Sequence, residues 1–269
     1  MATTTRLLDR LEAYYDAVPR SAARCEQIGP FTLFVKLGGG WPYYARPSLG
    51  SSAFSADEVR RVRARQRELA IPEAFEWVAE TSPALEQAAQ AGGLAVTRHP
   101  LMVLREPRRS SSAALAGVEV RLAAEEDDLA LLNGIGRVAF GAPGTAVGSA
   151  GVDAALAVLE RDPTRIASQR ARLQEGKTIM AVALVDGQPV GIASHQPVER
   201  VAEVVGVAVL PAFRRRGIAS LLTAQLIDDA QERGVQMVFL SADDEAVARI
   251  YARLGFRTVA TACIAEPAT

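Results

Sequence analysis

The segment Val207-Ala-Val-Leu-Pro-Ala-Phe-Arg-Arg-Arg-Gly-Ile-Ala-Ser220 constrains the chain more than any other. The apolar run Val201 to Leu210 reads as a strand. It stops at Pro211, continues through Arg214-Arg215-Arg216 and enters a helix running from about Arg216 to Arg233. Ile218, Leu221, Leu222 and Leu226 share one face of that helix, and Gly234 suits its C′ position. Its first turn leaves backbone N–H groups without intrahelical acceptors. It also carries the positive end of the helix dipole, which favours an anion by about 0.3–1 kcal/mol. Gly217 removes a side chain where an anion would approach, and Ala219 keeps the next turn narrow. Two readings stand at this point: a pyrophosphate cradle, or a plain strand-to-helix turn with a surface cluster of arginines.

At 269 residues the chain is long for one compact domain and suits two of modest size. The composition breaks over Arg105 to Gly117, REPRRSSSAALAG, which reads as a linker. The expected organisation is an N-terminal α/β domain over 1–108, a linker over 109–117 and a second domain over 118–269. In the first domain the spacing predicts a helix over Leu7 to Val18 and a strand over Phe31 to Lys36. Gly38-Gly39-Gly40 should turn the chain, with Trp41 to Ala45 returning as a strand. Ser55 and Glu58 form a capping box that opens a helix through about Leu69. A strand at Phe75 to Val78, a helix at Ala84 to Ala91 and a strand at Pro100 to Leu104 follow.

In the second domain Val118 to Leu122 reads as a strand and Glu125 to Val138 as a helix. Phe140 to Gly151, rich in glycine and small residues, reads as a mobile loop. Val152 to Leu173 reads as helical with a break near Pro163. Strands follow at Thr178 to Val185, Pro189 to Gln196 and Val201 to Leu210, the first two joined by the hairpin dipeptide Asp186-Gly187. After the amphipathic helix come a buried strand at Gln236 to Ser241, a helix at Asp244 to Leu254, and an extended stretch at Phe256 to Ile264.

Bulk properties exclude several functions. With 49% hydrophobic and 23% charged residues the chain is an ordinary globular sequence. A formal net charge of −1 asks for neither nucleic acid nor an anionic membrane. Met1 to Arg10 lacks the apolar region of a signal peptide, and no apolar run reaches the roughly 18 residues of a membrane span. The expected location is the cytoplasm. Cys25 and Cys263 lie at opposite ends and, with only His99 and His195, form no metal-type spacing. Lys36 and Lys177 are the only lysines, so nearly all basic charge is arginine. The run Arg60, Arg61, Arg63, Arg65 and Arg67 wraps around a helix and reads as a solvated face. Gly134-Ile-Gly136-Arg-Val-Ala139 fits a dinucleotide fingerprint, but it follows a helical pattern where that motif needs a strand, and is rejected.

The run Arg214-Arg215-Arg216-Gly217-Ile218-Ala219 matches the R/Q-x-x-G-x-G/A signature of the GNAT acetyltransferase superfamily, behind a Val-x-Val-x-Pro strand end. Ile250-Tyr251-Ala252-Arg253-Leu254-Gly255-Phe256 resembles its L-Y-x-x-x-G-F segment, and the order of elements over 117–269 agrees. The resemblance implies a GNAT fold: a central mixed, splayed β-sheet flanked by helices, here preceded by a smaller α/β domain. It implies acetyl-CoA as co-substrate. Backbone groups of Val207, Ala208 and Val209 would bind the pantetheine arm. The cradle Arg214, Arg215, Arg216, Gly217, Ile218, Ala219 and Ser220 would hold the pyrophosphate, through the backbone N–H groups of Arg215 to Ser220. Tyr251 would protonate the departing thiolate, as a phenol with pKa near 10 can for a thiol near 8.5; the plainer reading is a packed helix tyrosine.

Glu203 stands in the register of the glutamate base of the histone-type members, relative to Ala208 and Val209. An alkyl amine arrives protonated and needs a base; the other reading is a solvent-facing strand glutamate. In the cleft, burial would raise its pKa. His195, on the neighbouring strand, is the second candidate base or a structural histidine, and His99 is a weaker one. Where many GNAT members have a cofactor-binding asparagine seven residues before the tyrosine, this chain has Asp244, which accepts but cannot donate as an amide does. It also suits a helix N-cap. In the first domain, the order of elements and Gly93-Leu94-Ala95-Val96 echo the later half of a GNAT domain without its cofactor loop. Trp41, Tyr43 and Tyr44 are candidates for an acceptor pocket or for core.

The expected activity is transfer of acetyl from acetyl-CoA to a primary amine by direct attack in a ternary complex. The rival reading is a non-catalytic acyl-CoA sensor or scaffold. The acceptor, a small-molecule amine or a protein lysine or N-terminus, would be contacted by the Phe140–Gly151 loop. Acyl length and oligomeric state are not written in the sequence, and no metal, nucleic acid or membrane partner is expected.

Overall fold

A computed structural model describes residues 2–37, 42–106, 115–142 and 144–268. In chain order the first elements are α1 (Ala2–Arg20), β1 (Ala23–Ile28), β2 (Phe31–Lys36), β3 (Ala45–Pro47), α2 (Ala56–Glu68), β4 (Phe75–Val78), α3 (Leu85–Ala91) and β5 (Ala95–Leu104). Next come β6 (Val118–Leu122), α4 (Leu129–Phe140), α5 (Val152–Ala157), α6 (Pro163–Gln174), β7 (Ile179–Val185), β8 (Gln188–Val198) and β9 (Val201–Val209). A 3-10 turn at Pro211–Phe213 leads to α7 (Ile218–Glu232), β10 (Met237–Ser241), α8 (Glu245–Ala252) and β11 (Phe256–Glu266).

Contacts divide the chain into two compact units, Met1–Leu101 with Thr258–Thr269, and Met102–Arg257. The chain's last residues, expected with the second domain, therefore group with the first unit. The reason is hydrogen bonding: β11 pairs antiparallel with β4, Ala262 opposite Val78 and Ala265 opposite Phe75. Of the expected linker only Leu115 to Gly117 fall among the described residues.

In the first unit the strands run β1-β2-β3-β4-β11, followed by β5. Phe31, Leu33, Phe75 and Trp77 alternate along β2 and β4 and pack against Val59 and Val62 of α2 and Leu85 of α3. Strand β1 had no apolar alternation to announce it. It forms as an edge by pairing with β2 across a turn in which Gly29 takes φ +58. The arginines of α2 are paired: Arg60 with Asp57, Arg61 with Glu58, Arg63 and Arg67 with Glu73, and Arg65 with Glu26 and Glu68. That helix face is an ion-pair network.

In the second unit the strands run β6-β7-β8-β9-β10. The first four form an antiparallel meander, and β10 joins β9 in parallel, so the sheet is mixed. Strand β7 is buried on both faces, and its side chains divide by the two-residue period. Ile179, Ala181 and Ala183 pack with Ile218, Leu222 and Leu226 of α7. Met180 and Val182 pack with Leu129, Leu132 and Ile135 of α4. Helices therefore cover both faces, as expected of an α/β fold.

Helix α4 starts at Leu129, four residues later than the periodicity predicts. Asp128 accepts from Ala130 N and Leu131 N and fixes the start there. Gly134 inside α4 serves packing: a Cβ there would lie 2.5 Å from Ala155 O of α5. The break at Pro163 is present, with Pro163 opening α6 behind the cap Asp162.

Candidate active site

Helix α7 starts without a side-chain cap, as the short helices α3 and α5 do behind Ala84 and Gly151, but its N-cap is left-handed and faces a cleft. The first turns of α2, α4, α6 and α8 are each closed by a side chain of the N-cap, Ser55, Asp128, Asp162 and Asp244. The N-cap of α7 is Gly217, which has no side chain to offer, at φ +81 and ψ 0. The first hydrogen bond along the helix runs from Leu221 N to Gly217 O, 3.2 Å. The amides of Ile218, Ala219 and Ser220 precede it and have no acceptor within the helix. Arg215 also takes a left-handed φ, +64. That conformation costs a non-glycine residue about 1–2 kcal/mol. Left-handed residues thus flank Arg216 on both sides, and turns that mix right- and left-handed residues are where concave, anion-binding runs of N–H groups arise.

This turn opens into a cleft of about 800 Å³ whose described lining lies entirely within the second unit. Its origin is the parting of two strands. Among the described residues, β9 and β10 pair only over Val201–Glu203 against Met237–Phe239. Beyond Glu203, residues Val204 to Val209 line the cleft. A bulge accompanies the separation: Gly206 and Val207 together oppose Ala193 of β8, with Gly206 at φ +65. Such a bulge adds local twist and bends its strand. The remaining walls come from α8, from Ser241 at the end of β10 and Asp243 after it, and from the end of α4 with the loop after it.

The sequence-predicted residues separate into groups. Glu203, Val207, Ala208, Val209, Arg214, Arg215, Gly217, Ile218, Ala219, Ser220 and Tyr251 line the cleft. Glu203 is half-buried and sits at the last β9–β10 pair, where the strands diverge. Tyr251 is buried, meets Phe256 edge-on with ring centroids 6.0 Å apart, and its hydroxyl is pushed up to about 12 by burial. It is a protonated donor throughout the physiological range. Arg216 stacks its guanidinium over Phe213 at 5.7 Å and is not in the lining. Asp244 accepts from Val247 N at 2.7 Å as the N-cap of α8 and is also outside the lining.

His195 is buried on the face of the sheet covered by α7 and does not line the cleft. Its Nε2 lies 2.6 Å from Asp229 Oδ2, which also accepts from Arg233 Nε at 2.7 Å. Burial holds the imidazole below its usual pKa against the opposing pull of that carboxylate. The arrangement suits a structural histidine, and it leaves Glu203 as the base candidate that reaches the cleft. His99 lies in the first unit, its Nε2 3.1 Å from Thr97 Oγ1.

Described residues of the loop expected to be mobile carry hydrogen bonds to the turn before α7. Gly148 N donates to Pro211 O and Ala212 N donates to Ala150 O, both at 3.1 Å. Arg214 holds Ala139, Ala142 and Ala146 by their carbonyls. Sequence reasoning missed Arg249 of α8 and Arg253, its C-cap, as cleft residues. Their only signal is the i, i+4 spacing that puts them on one helix face beside the tyrosine motif.

In the first unit no comparable turn stands open among the described residues of α2, because Ser55 and Glu58 satisfy one another and the turn in a full capping box. Of the aromatic trio, Trp41 lies outside the described residues. Tyr43 stacks under Lys36 Nζ at 4.8 Å, and neither Tyr43 nor Tyr44 lines the cleft. No helix among the described residues is long and apolar enough to cross a membrane.

Residues 152–256 match the sequence model of the acetyltransferase (GNAT) family. A [ribosomal protein bS18]-alanine N-acetyltransferase from Haemophilus influenzae is 31% identical over 87 residues, a match that covers 32% of this chain and 60% of that protein. A GCN5-related N-acetyltransferase from Kribbella flavida superposes with a TM-score of 0.67 at 22% identity, over 97% of this chain and 96% of that one. A tandem GNAT protein from the clavulanic acid biosynthesis pathway superposes with a TM-score of 0.55 at 15% identity, over 89% and 79%. These two structures share the fold across nearly the whole chain.

Proposed function

We propose, from the match of residues 152–256 to the acetyltransferase (GNAT) family model, that this chain transfers the acetyl group of acetyl-CoA to a primary amine by direct attack. The observation that carries the reading is the uncapped first turn of α7, opening where β9 parts from β10. Acetyl-CoA brings a diphosphate to that turn, where the amides of Ile218, Ala219 and Ser220 receive it. The edge of Val207 to Val209 receives the pantetheine arm and aims the thioester toward Glu203 and Tyr251.

Glu203 takes the proton of the incoming ammonium, and the freed nitrogen attacks the thioester carbonyl. As the C–S bond breaks and the amide forms, the nitrogen gives up a second proton, which replaces on Tyr251 the one that residue gives to sulfur. The Tyr251 hydroxyl donates to the departing sulfur. Its pKa near 12 does not disqualify it, since the burial that raises the phenol also raises the proton affinity of a thiolate in the same cleft. Holding amine and thioester together supplies much of the rate.

The relative from Haemophilus influenzae is named for an alanine of a ribosomal protein. Protein N-termini thus stand among the acceptor classes with lysines and small amines, for an enzyme acting in the cytoplasm. The first unit is a degenerate GNAT-like domain whose turn is plugged by Ser55 and Glu58. Thiol release from acetyl-CoA across a panel of amines tests the activity. Binding of acetyl-CoA without thiol release with any of them points to a sensor or scaffold, and propionyl- and succinyl-CoA measured in parallel set the acyl length.

A further inference from the structure

We propose that Arg214 is a positioning residue for the acceptor: it holds Ala139, Ala142 and Ala146 by their carbonyls along one wall of the cleft, and that wall seats the apolar body of the amine. The proposal rests on the acetyltransferase reading above and names the acceptor class for it. Arg214 begins the cradle signature, yet its guanidinium is directed at carbonyl groups. Nε donates to Val209 O at 3.2 Å and Nη1 to Ala146 O at 3.2 Å. Nη2 donates to Ala139 O at 2.8 Å and to Ala142 O at 2.7 Å. A guanidinium has five N–H donors, and these bonds occupy four, leaving no free fork for a bidentate phosphate contact.

One side chain therefore joins the last residue of the pantetheine strand, the cradle and the opposite wall. The cation also sits at the C-terminal end of α4, where the dipole favours it. The wall it holds is uncharged in its described lining residues: Ala139, Phe140, Ala142, Gly144 and Thr145. Phe140, the last residue of α4, leaves 57% of its surface exposed on that wall. Besides Arg214, the charged cleft residues are Glu203 on β9, Arg215 in the turn before α7, Asp243 after β10, Arg249 on α8 and Arg253 at its C-cap. An amine whose ammonium meets Glu203 and whose body is aromatic or aliphatic would cover Phe140. A polyamine would bring a second charge against an apolar wall, which costs binding.

The test uses the full chain, with CoA as the calorimetric ligand and phenethylamine and spermidine as acceptors. In the wild type, phenethylamine should exceed spermidine in kcat/KM by about tenfold or more, the discrimination an apolar contact gives. Phe140→Ala and Arg214→Met should raise the KM for phenethylamine about 10- to 100-fold, as loss of one buried aromatic contact predicts. For Phe140→Ala, which touches neither the cradle nor the pantetheine strand, CoA affinity should stay within about threefold, the scatter expected of an independent site. Arg214→Lys, which keeps the charge and some donors, should recover part of the KM. Preference for spermidine, or no turnover of phenethylamine by a wild type that binds CoA, overturns the acceptor class. If Arg214→Met loses CoA affinity with the amine KM unchanged, the side chain is a phosphate ligand and the positioning role is wrong. A wild type that does not bind CoA refutes the acetyltransferase reading itself, and the proposal falls with it.

Discussion

Replacing Gly217 with alanine tests the cradle through its backbone, without adding charge or bulk. Gly217 holds φ +81, and an added Cβ would sit 3.3 Å from Leu115 Cδ1, the movable end of a side chain. The main penalty is conformational, about 1–2 kcal/mol for an L-residue held left-handed. A relaxing chain rotates out of that region and turns the amides of Ile218, Ala219 and Ser220 away from the diphosphate. Hydrogen bonds to charged groups contribute about 1.5–3 kcal/mol each. Losing two of them weakens CoA binding roughly 10²–10⁴-fold.

Gly187 supplies the control. It turns the β7–β8 hairpin at φ +75, with nothing within 4 Å of an added Cβ. Gly187→Ala therefore carries the same backbone strain away from the cradle. Both variants should lower the melting temperature by roughly 2–8 °C, as about 1–2 kcal/mol does for a protein of this size. Only Gly217→Ala should lose CoA affinity in calorimetry. If Gly217→Ala binds CoA as the wild type does, or Gly187→Ala loses as much, the cradle argument is refuted.

Tyr251→Phe should lower turnover about 10²–10⁴-fold, the usual range for a lost general acid, with CoA affinity intact by calorimetry. Because the hydroxyl is pushed up to about 12, the wild-type rate should show no fall from tyrosine ionisation through pH 10. A Tyr251-dependent fall near pH 9 would contradict its buried state. Glu203→Gln should lower kcat/KM roughly 10²–10⁴-fold at neutral pH. Its deficit should shrink toward pH 10, where an alkyl amine of pKa about 10.4 begins to arrive deprotonated; a deficit independent of pH would remove Glu203 as the base. His195 is held below its usual value by burial, so on acidification the unfolded chain binds the proton first. Its stabilising contribution is complete above about pH 6.5 and is lost as pH falls through the folded value. Urea denaturation between pH 5 and 8 should show stability rising with pH. His195→Gln should flatten that rise, and an unchanged slope would count against the assignment.

Local chemistry was legible in the residues themselves. The capping box of Ser55 and Glu58, the Asp186-Gly187 hairpin, the strands at Phe31–Lys36, Phe75–Val78 and Val118–Leu122, and the Gly217 turn are all present. Each depends on a handful of neighbouring residues, so turn geometry, caps and hydrophobic period suffice to determine it. What the sequence left open was decided by groups far apart along the chain. Strand β1 exists because β2 offers it an edge. The tail of β11 belongs with the first unit because it pairs with β4. Described residues after α4 are tied to the cradle turn because carbonyls at 139, 142 and 146 converge on Arg214, some 70 positions later. His195 and Glu203 were rival bases on adjacent strands, and their packing separated them: one lies under α7, the other in the cleft. Periodicity states which side chains share a face of an element; which partner covers that face is settled only when hydrogen bonds and buried surface from distant segments are satisfied together.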